Sequence, residues 1–518
     1  MSHVPSHAAP RRRTADPRLP VRASQLLRAR RLWAIPLVMA SVVVAAITGL
    51  YISSVVNPLA HLHGLPVAVV NQDQGATAGR GHVQAGAQVQ AGLLASPAVS
   101  GRLDLTASTL PQAEQAMDGN RLYAVVVIPP GFTASLLNVA GLHPTAAAVA
   151  PQVEILTNQR AGTTGASLAT AILQPALAVA SRQIGQQLAA LAPPGTVTGA
   201  TRVMLASPVT VTTAQYRPLG PNTALGLSAF YVALLTVMWG FLGAIIVNSA
   251  VDSALGYAAS DVGPRWRQRQ LVPISRWQTL LVKWAMVAAL TAVLTAVMLA
   301  VAAGALGMDA PHPALLWLYT WLCAASVGAG TIALFAVAGT YGQLIGLLVF
   351  VYAGLASAGA TAPVQALPGF LRALSTVEPM HQVLAGTRSI LYFGAQGDAG
   401  LTRGTVAAAL GLAFWLAAGT AVVTWYDRRH LHRLHPDLLA HVNRAVQEWV
   451  PRALPETAPH GTTTTLTGSP SRSLTTRNAS AMSSRANRWV TISAPRNLPA
   501  AARATARFTL LPPSPREV

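Results

Sequence analysis

The chain is short of charge, and above all of acidic residues. Only 10% of its 518 residues are charged, and 16 Asp and Glu stand against 36 Lys and Arg. Hydrophobic residues make up 52% of the chain, which is too apolar for an ordinary soluble protein. Several apolar runs exceed the length of about 18 residues that crosses a bilayer as a helix. The composition therefore predicts a multi-pass integral membrane protein.

Cysteine and catalytic motifs are also scarce. The one cysteine, Cys323, lies in an apolar run, which excludes a disulfide framework. The one lysine, Lys283, stands in Leu-Val-Lys-Trp rather than in a phosphate-binding Gly-x-x-x-x-Gly-Lys-Ser/Thr loop, so the chain itself is not expected to be an ATPase of that class. No His-Glu-x-x-His, Cys-x-x-Cys or Gly-x-Ser-x-Gly motif occurs. We therefore expect no enzyme, no catalytic residue and no cofactor.

A group of histidines follows the last apolar run. They are His430, His432, His435 and His441. A metal site and a basic helix at the membrane surface both fit such a group, and the Arg- and His-rich tail around it favours the helix. We predict no metal site.

The basic residues are clustered. Twenty-six of the 36 lie in residues 1–31, 263–284 and 427–518. Cytoplasmic segments of membrane proteins carry such an excess of Arg and Lys, so the clusters place all three segments in the cytoplasm. They would also attract the anionic headgroups of the lipid bilayer. Nucleic acid is not needed as a partner to explain the charge.

The apolar runs predict six transmembrane helices in a 1+5 arrangement. They cover Trp33–Val56, Thr223–Asn248, Leu280–Leu306, Ala314–Ala338, Gln343–Thr361 and Gly404–Tyr426. We expect the protein to lie in the plasma membrane. An even number of spans puts both of its termini on the same side, in the cytoplasm. A cleaved signal peptide is the alternative for the first run, but its apolar core of about 24 residues exceeds the usual 7–15, which favours an uncleaved anchor.

These spans divide the chain into predicted domains. They are a disordered basic arm (1–31), helix 1 (32–56), an extracytoplasmic α/β domain (57–222), a five-helix transmembrane domain (223–426) with a cytoplasmic loop (249–279) and an outer segment (362–403), and a basic, mostly disordered cytoplasmic tail (427–518). The fold class is thus a mainly α integral membrane protein with an α/β domain inserted after helix 1.

The α/β prediction rests on short apolar runs that alternate with helical patterns. Strands are predicted at Leu65–Val70, Leu103–Leu105, Leu122–Ile128 and Gln152–Leu156, and helices near 80–94, 111–119, 131–140 and 161–191. Strands separated by helices favour a partly parallel sheet.

The predicted spans have no Asp, Glu, Arg or Lys in their interiors. Proton-coupled carriers usually keep titratable groups at membrane depth. Because the predicted spans lack such groups, a proton-driven pump ranks only third among the hypotheses for function, behind the two given below. In the outer segment, Glu378-Pro379-Met-His381 fits either a substrate headgroup site or the start of a helix with proline in its first turn. The residues 367–374 and 380–393 are predicted as amphipathic helices at the outer interface.

Two segments carry a family resemblance. Residues Arg269–Lys283, with Gln-Leu-Val-Pro-Ile-Ser-Arg-Trp, resemble the cytoplasmic loop of type-2 ABC exporter permeases, where Leu-Leu-x-x-Pro-x-Ser/Thr-Arg precedes an apolar segment and a lysine. Residues 363–393, with Glu378-Pro379, Arg388 and Tyr392-Phe-Gly394, resemble the outer segment before the last helix of the same group.

The insertion after the first span resembles one branch of these proteins. Its opening, Val67–Gly75 (Val-Ala-Val-Val-Asn-Gln-Asp-Gln-Gly), resembles the phage-infection-protein (YhgE/Pip) branch. Tyr123–Thr133 resembles a phrase of the same domain that yeast nitrosoguanidine-resistance proteins share.

The resemblance implies an export or efflux permease, expected as a homodimer, for a hydrophobic or lipid-like compound. In such permeases the loop between spans two and three docks on a separate ABC ATPase subunit. The candidate docking residues here are Arg265, Arg267, Arg269, Pro273, Arg276 and Lys283. Arginines replace the usual Glu-rich start of that loop, so the alternative that these residues only set topology stays open.

Glu378, Pro379 and Arg388, which carry part of the resemblance, form a candidate outer substrate or gating segment together with His381. The alternative function is a non-transporting cell-envelope receptor or scaffold that acts through its external domain. The sequence names neither the substrate nor the energy source.

Overall fold

A computed structural model describes residues 30–78, 81–140, 151–191, 199–262, 265–267, 269–272, 274–429 and 431. The predicted disorder of both tails and the histidine group after the last apolar run lie outside the described residues, as does most of the N-terminal arm. The chain forms two compact units, Met1–Asn248 with Ser275–Val423, and Ser249–Ile274 with Thr424–Val518.

The described chain is mainly helical. Its helices are α1 (Arg30–Val55), α2 (Pro58–His61), α3 (Ala85–Ala95), α4 (Pro97–Ser100), α5 (Leu110–Asp118), α6 (Phe132–Val139), α7 (Thr163–Leu191), α8 (Gly199–Ala206), α9 (Ser228–Ala254), α10 (Arg276–Leu299), α11 (Pro313–Ala338), α12 (Tyr341–Gly346), α13 (Gly354–Ser357), α14 (Gly369–Val377), α15 (Pro379–Tyr392) and α16 (Thr402–Arg428). Stretches of π-helix cover Ala300–Ala305, Leu347–Ala353 and Gly397–Leu401, and 3₁₀ turns cover Gln159–Ala161, Pro221–Gly226 and Val364–Ala366.

The strands form one mixed sheet and two hairpins. They are β1 (Leu65–Asn71), β2 (Ala76–Ala78), β3 (Gly81–Val83), β4 (Leu103–Ser108), β5 (Ala124–Ile128), β6 (Gln152–Thr157), β7 (Thr210–Gln215), β8 (Ser260–Val262) and β9 (Arg265–Arg267). The sheet order is β4-β1-β5-β6-β7, with β1 parallel to β4 and β5, β6 antiparallel to β5, and β7 parallel to β6. The four predicted strands and the partly parallel sheet are confirmed.

Both faces of this sheet are covered by helices. One face packs against α3, α6 and α7, and the other against α5 with Met117. All five residues of β5 are buried, as expected of a strand with helices on both sides. The first of these cores also contains Leu367 and Leu371 of the predicted outer segment. The sheet and that segment therefore share one apolar core.

Six described helices are long and apolar enough to cross a membrane. They are Leu37–Val55, Thr163–Ala190, Ser228–Ala254, Arg276–Ala305, Pro313–Ala338 and Gly397–Arg428. The multi-pass membrane protein expected from composition is thus supported. Five of these helices overlap predicted spans, and the remaining predicted span appears as the shorter apolar helix Tyr341–Ser357.

The helix α7 differs from the other five. Its residues Leu173 and Leu177 are buried against the sheet, while Gln174, Arg182 and Gln183 on the opposite side are exposed. A polar exposed face is costly in lipid. Packing on the sheet therefore accounts for the apolar residues of α7 without a membrane.

The helix α11 lies at the centre of the apolar helices. Trp317 and Trp321 stack with their rings 5.7 Å apart, and their indole N–H groups donate to the carbonyls of Ala292 and Ala288 in α10 at 3.0 and 2.9 Å. At Gly342 of α12, a Cβ would lie 2.4 Å from the Leu334 carbonyl oxygen of α11. Only glycine permits the approach of α12 to α11 at this point.

Candidate functional site

The predicted docking residues fall into separate parts of the structure. Arg265 and Arg267 belong to strand β9, which pairs antiparallel with β8. Arg269, in the same unit, has an exposed side chain. Pro273 lies outside the described residues. Arg276 is the first residue of α10, in the other unit. Their role in docking stays a prediction.

Lys283 is buried, with only 4% of its surface exposed. Its Nζ donates to Asn248 Oδ1 at 2.7 Å. A long cationic side chain is seldom so buried unless it is paired with a polar group. Lys283 therefore links α10 to α9 and is not a surface residue.

The phrase that carries the permease resemblance also begins a helix. Ser275 Oγ accepts a hydrogen bond from the Gln278 N–H at 3.2 Å, and Gln278 Oε1 accepts from the Ser275 N–H at 3.4 Å. This reciprocal capping box satisfies backbone donors at the start of α10. The serine and the glutamine three residues later thus have a structural reason that sequence reasoning missed.

The outer candidate residues lie on α15, a helix enclosed by other helices. Ten of its 14 residues are buried. Tyr319 of α11 donates to the carbonyls of Gln382 and Val383 at 2.9 and 3.3 Å. Unlike α14, whose Phe370 and Val377 are exposed, α15 does not present the exposed face that we predicted for an interfacial helix.

Glu378 is the N-cap of α15. Its Oε2 accepts from the N–H groups of Met380 and His381 at 2.9 and 3.3 Å, and Pro379 fills the first helical position. The interpretation of Glu378-Pro379 as a helix start is confirmed. The side chain is 4% exposed, and burial raises the pKa of its carboxyl to about 8, against the lowering effect of the two N–H groups and of the Ser357 hydroxyl.

His381 and Arg388 lie on the same helix but apart. His381 Nδ1 lies 2.9 Å from the Ala358 carbonyl, and burial lowers the pKa of the ring. Arg388 lies ten positions after Glu378, about 15 Å along the helix. Its guanidinium lies beside Gly162 and Tyr123 of the sheet region. The structure thus groups Glu378, Pro379 and His381, and separates Arg388 from them.

A second polar cluster joins the end of α15 to the sheet, and we name it the sheet–helix junction. It consists of Asp118, Arg160, Arg217, Tyr392 and Phe393. Arg160 is 8% exposed and pairs with Asp118 at 3.0 Å. Its Nη1 donates to the Tyr392 carbonyl at 3.3 Å, and its guanidinium lies 4.8 Å from the Phe393 ring centre. Of this cluster, only Tyr392 and Phe393 carried a signal in the sequence, as part of the resemblance.

Asp73 provides a third polar centre, after strand β1. Its Oδ1 accepts from the Thr133 N–H at 3.0 Å, and its Oδ2 accepts from the Gly86 N–H at 3.1 Å and from the Thr133 hydroxyl. Gly86 and Thr133 lie in the first turns of α3 and α6. The carboxylate therefore caps two helices at once, and this use explains the acid in Asn-Gln-Asp-Gln-Gly.

The described residues hold no group of three or more His, Cys, Asp or Glu arranged to bind a metal. That part of the chain also contains an apolar pocket of about 260 Å³. It is lined by Leu299, Ala300, Ala303, Gly304, Ala310, Pro313 and Leu316. It is separate from the residues singled out above.

The fold is that of a multi-pass membrane protein in which the buried short helix α15 contacts the region of the mixed sheet. Within that class, residues 36–414 match the family described as "Protein of unknown function (DUF3533)". The chain therefore belongs to this family. Membership of the YhgE/Pip branch stays a prediction.

Comparison with curated proteins gives no match. Among solved structures, the chain is similar to "a domain of a putative ABC type-2 transporter from Thermotoga maritima MSB8", with 20% sequence identity over 29% of this chain and 85% of that one. The TM-score is 0.21. A similarity at this level carries no argument about function.

Proposed function

We propose that the chain is a permease-like protein that exports a hydrophobic or lipid-like compound and is driven by a separate ATPase subunit. The observation that carries the proposal is the burial of α15, a helix of 14 residues too short to span a membrane, against the long apolar helix α11 and the Gly397–Leu401 start of the last apolar helix. In membrane proteins, short and interrupted helices of this kind are tolerated where protein buries them, and many transporters use them at their substrate sites. A receptor needs only helices that anchor it.

The proposed topology is the 1+5 arrangement with both termini in the cytoplasm. The reason is the position of the basic segments, which the positive-inside rule assigns to that side. The sheet, with α7 packed on it, then lies outside the cell, and α14 with its exposed Phe370 and Val377 lies at the outer interface.

The proposed assembly is a homodimer in the plasma membrane. Within the described chain, α1 and α16 are the least buried of the long apolar helices, with 6% and 17% of their most apolar windows buried. Such faces are suited to contact with lipid or with a second copy of the chain. The homodimer remains part of the proposal.

Arg269 provides the test of ATPase docking, because it is exposed in the predicted loop. We expect ATP-hydrolysing activity to co-purify with the wild-type chain from its native membranes. Arg269→Glu should lower the recovered activity several-fold, since reversing a charge at a docking surface creates repulsion. The matched control is Arg102→Glu, an exposed arginine next to β4, which should leave the activity unchanged.

The same variants test export in whole cells. Cells with the wild-type chain should accumulate less of a lipophilic fluorescent dye than cells without it, and Arg269→Glu should remove the difference. The proposal would be contradicted if the Arg269→Glu cells accumulated as little dye as the wild-type cells and no ATPase activity co-purified with the wild-type chain. That outcome would favour the receptor or scaffold.

A further inference from the structure

We propose that Glu378 is a proton-binding latch: its neutral carboxyl holds the start of α15 against α13, and loss of the proton frees this end of the helix. The ligand is the proton. The inference goes beyond the proposed function, because it concerns the state of α15 and holds whether or not the chain transports anything.

The two oxygens of the Glu378 carboxyl have different surroundings. Oε2 is held by two N–H groups of the first turn of α15. Oε1 faces Gly354 of α13, where a Cβ would lie only 2.5 Å away. Within the described residues, Oε1 has no hydrogen-bond partner. One half of a buried carboxyl is therefore satisfied and the other is not.

The Ser357 hydroxyl lies between two acceptors. It lies beside the carboxyl of Glu378, and it donates to the Ala353 carbonyl at 2.8 Å. Its single proton can serve only one of the two. An ionised Glu378 competes with the Ala353 carbonyl for that proton, whereas a neutral carboxyl donates its own proton to the Ser357 oxygen and leaves the bond to Ala353 in place. Only the protonated form of Glu378 thus joins α15 to α13 without the loss of a hydrogen bond within α13.

No cation compensates the carboxyl in the described surroundings. The titratable groups on α15 are His381, Arg388 and Tyr392, and those on the elements packed around its start are Arg372, Tyr352, Tyr51 and Tyr319. Arg388 lies about 15 Å from Glu378 along the helix, and both Arg388 and Arg403 of α16 act on the His381 ring. His381 Nδ1 is engaged by the Ala358 carbonyl, Arg372 donates to three carbonyls, and Tyr51 and Tyr352 contact each other edge to face. Tyr319 donates to backbone carbonyls of α15. An ionised Glu378 would be buried without a counter-charge, which is strongly unfavourable.

The far end of α15 is hydrogen-bonded to two other elements. The Tyr392 hydroxyl lies 2.7 Å from Ser228 Oγ and accepts from the Ala229 N–H at 3.1 Å, both at the start of α9. The Tyr392 carbonyl accepts from Arg160 of the sheet–helix junction. Release at Glu378 therefore loosens one end of a helix whose other end is bound to α9 and to the sheet.

Thermal unfolding of the full-length protein in detergent, from pH 5 to pH 9, tests the latch. The unfolded carboxyl ionises near its ordinary pKa of 4.5, whereas the folded one keeps its proton up to a pKa of about 8. The stabilisation is therefore complete below pH 4.5 and is lost as the pH rises to about 8. Glu378→Gln has a neutral amide that donates to Ser357 at every pH. We expect its Tm to exceed that of the wild type by a gap that widens from pH 5 to pH 8 to several degrees and is constant above.

Glu154→Gln is the matched control, because Glu154 lies on β6 of the sheet. It should keep the pH dependence of the wild type. A gap between wild type and Glu378→Gln that stays constant from pH 5 to pH 9 would overturn the latch.

Hydrogen exchange of the wild type gives a second test that needs no variant. Exchange of the amides of residues 380–385, normalised to those of α7 at the same pH, should increase as the pH passes about 8, the pKa of Glu378. An unchanged ratio across this range would contradict the release of α15.

Discussion

Asp73 connects the first strand of the sheet to the starts of two helices. Three hydrogen bonds reach its carboxylate from the first turns of α3 and α6. Thr133 is completely buried and its hydroxyl also accepts from the Ala85 N–H at 2.9 Å. The free N–H groups at a helix start favour an anion, and here two such ends share one. The role of Asp73 is therefore to stabilise the domain rather than to bind a ligand.

Replacing this acid should destabilise the protein. Asp73→Ala removes the acceptor of three hydrogen bonds and leaves the buried N–H and the hydroxyl proton of Thr133 without an acceptor, so we expect a loss of about 2–4 kcal/mol in the free energy of unfolding. Thermal unfolding of the full-length protein measures it. Asp104→Ala is the control, because Asp104 is exposed on the edge strand β4. Equal Tm values for the two variants would show that the cap is not needed.

Glu378 shows how far a residue could be understood from sequence alone. Proline after it indicated a helix start, and the structure confirms this. Its burial could not be read from the sequence, because it depends on Gly354 and Ser357, which lie more than 20 positions earlier and meet it only in the folded chain. The predicted spans lacked buried acids, yet a buried acid lies beside the predicted fifth span.

At the scale of elements, the strands that were predicted are the apolar ones. β1 and β5 consist largely of Val and Ala and are buried by helices on both faces. β7 (Thr210–Gln215) escaped prediction because it lies at the edge of the sheet, where one side lacks a partner strand and polar threonines are tolerated. The β8–β9 hairpin escaped because its arginines were interpreted through topology alone.

The contact of α15 with α11 depends on a glycine. At Gly386 a Cβ would lie 2.2 Å from the Tyr319 hydroxyl, and Tyr319 is 3% exposed. Enclosure of α15 therefore requires the absence of a side chain at this position. The sequence did not indicate this, since glycine within a helix is usually only a weak helix former.

Gly386→Ala should separate the two helices. Alanine favours helix by about 1 kcal/mol, but its methyl group would force Tyr319 and α15 apart, and we expect a net loss of about 1–3 kcal/mol in the free energy of unfolding. Thermal unfolding of the full-length protein measures the change. Gly369→Ala at the start of α14 is the matched control, because nothing lies within 4 Å of the added methyl group. A Gly386→Ala protein as stable as this control would contradict the close packing of α15.

At the scale of the whole molecule, the apolar helices indicate which segments can cross the membrane, and the basic segments indicate which side of it the connecting segments face. The helices are long enough to cross a bilayer, but length alone does not distinguish α7 from a span. Its polar exposed face does, because Gln and Arg facing lipid would be unfavourable. Excluding α7 and including the shorter Tyr341–Ser357 helix restores six spans, which is the number that the proposed topology needs.

Cysteine labelling in intact cells tests this topology, and the chain is suited to it because its one cysteine, Cys323, is buried. We expect Gln183→Cys, at an exposed position of α7, to react with a membrane-impermeant maleimide added outside. Gln270→Cys, at an exposed position after β9, should react only once the membrane is permeabilised, since the positive-inside rule assigns this arginine-rich segment to the cytoplasm. The wild-type chain is the blank. Labelling of Gln270→Cys from outside would invert the topology, and protection of Gln183→Cys in intact cells would remove the sheet from the outer surface.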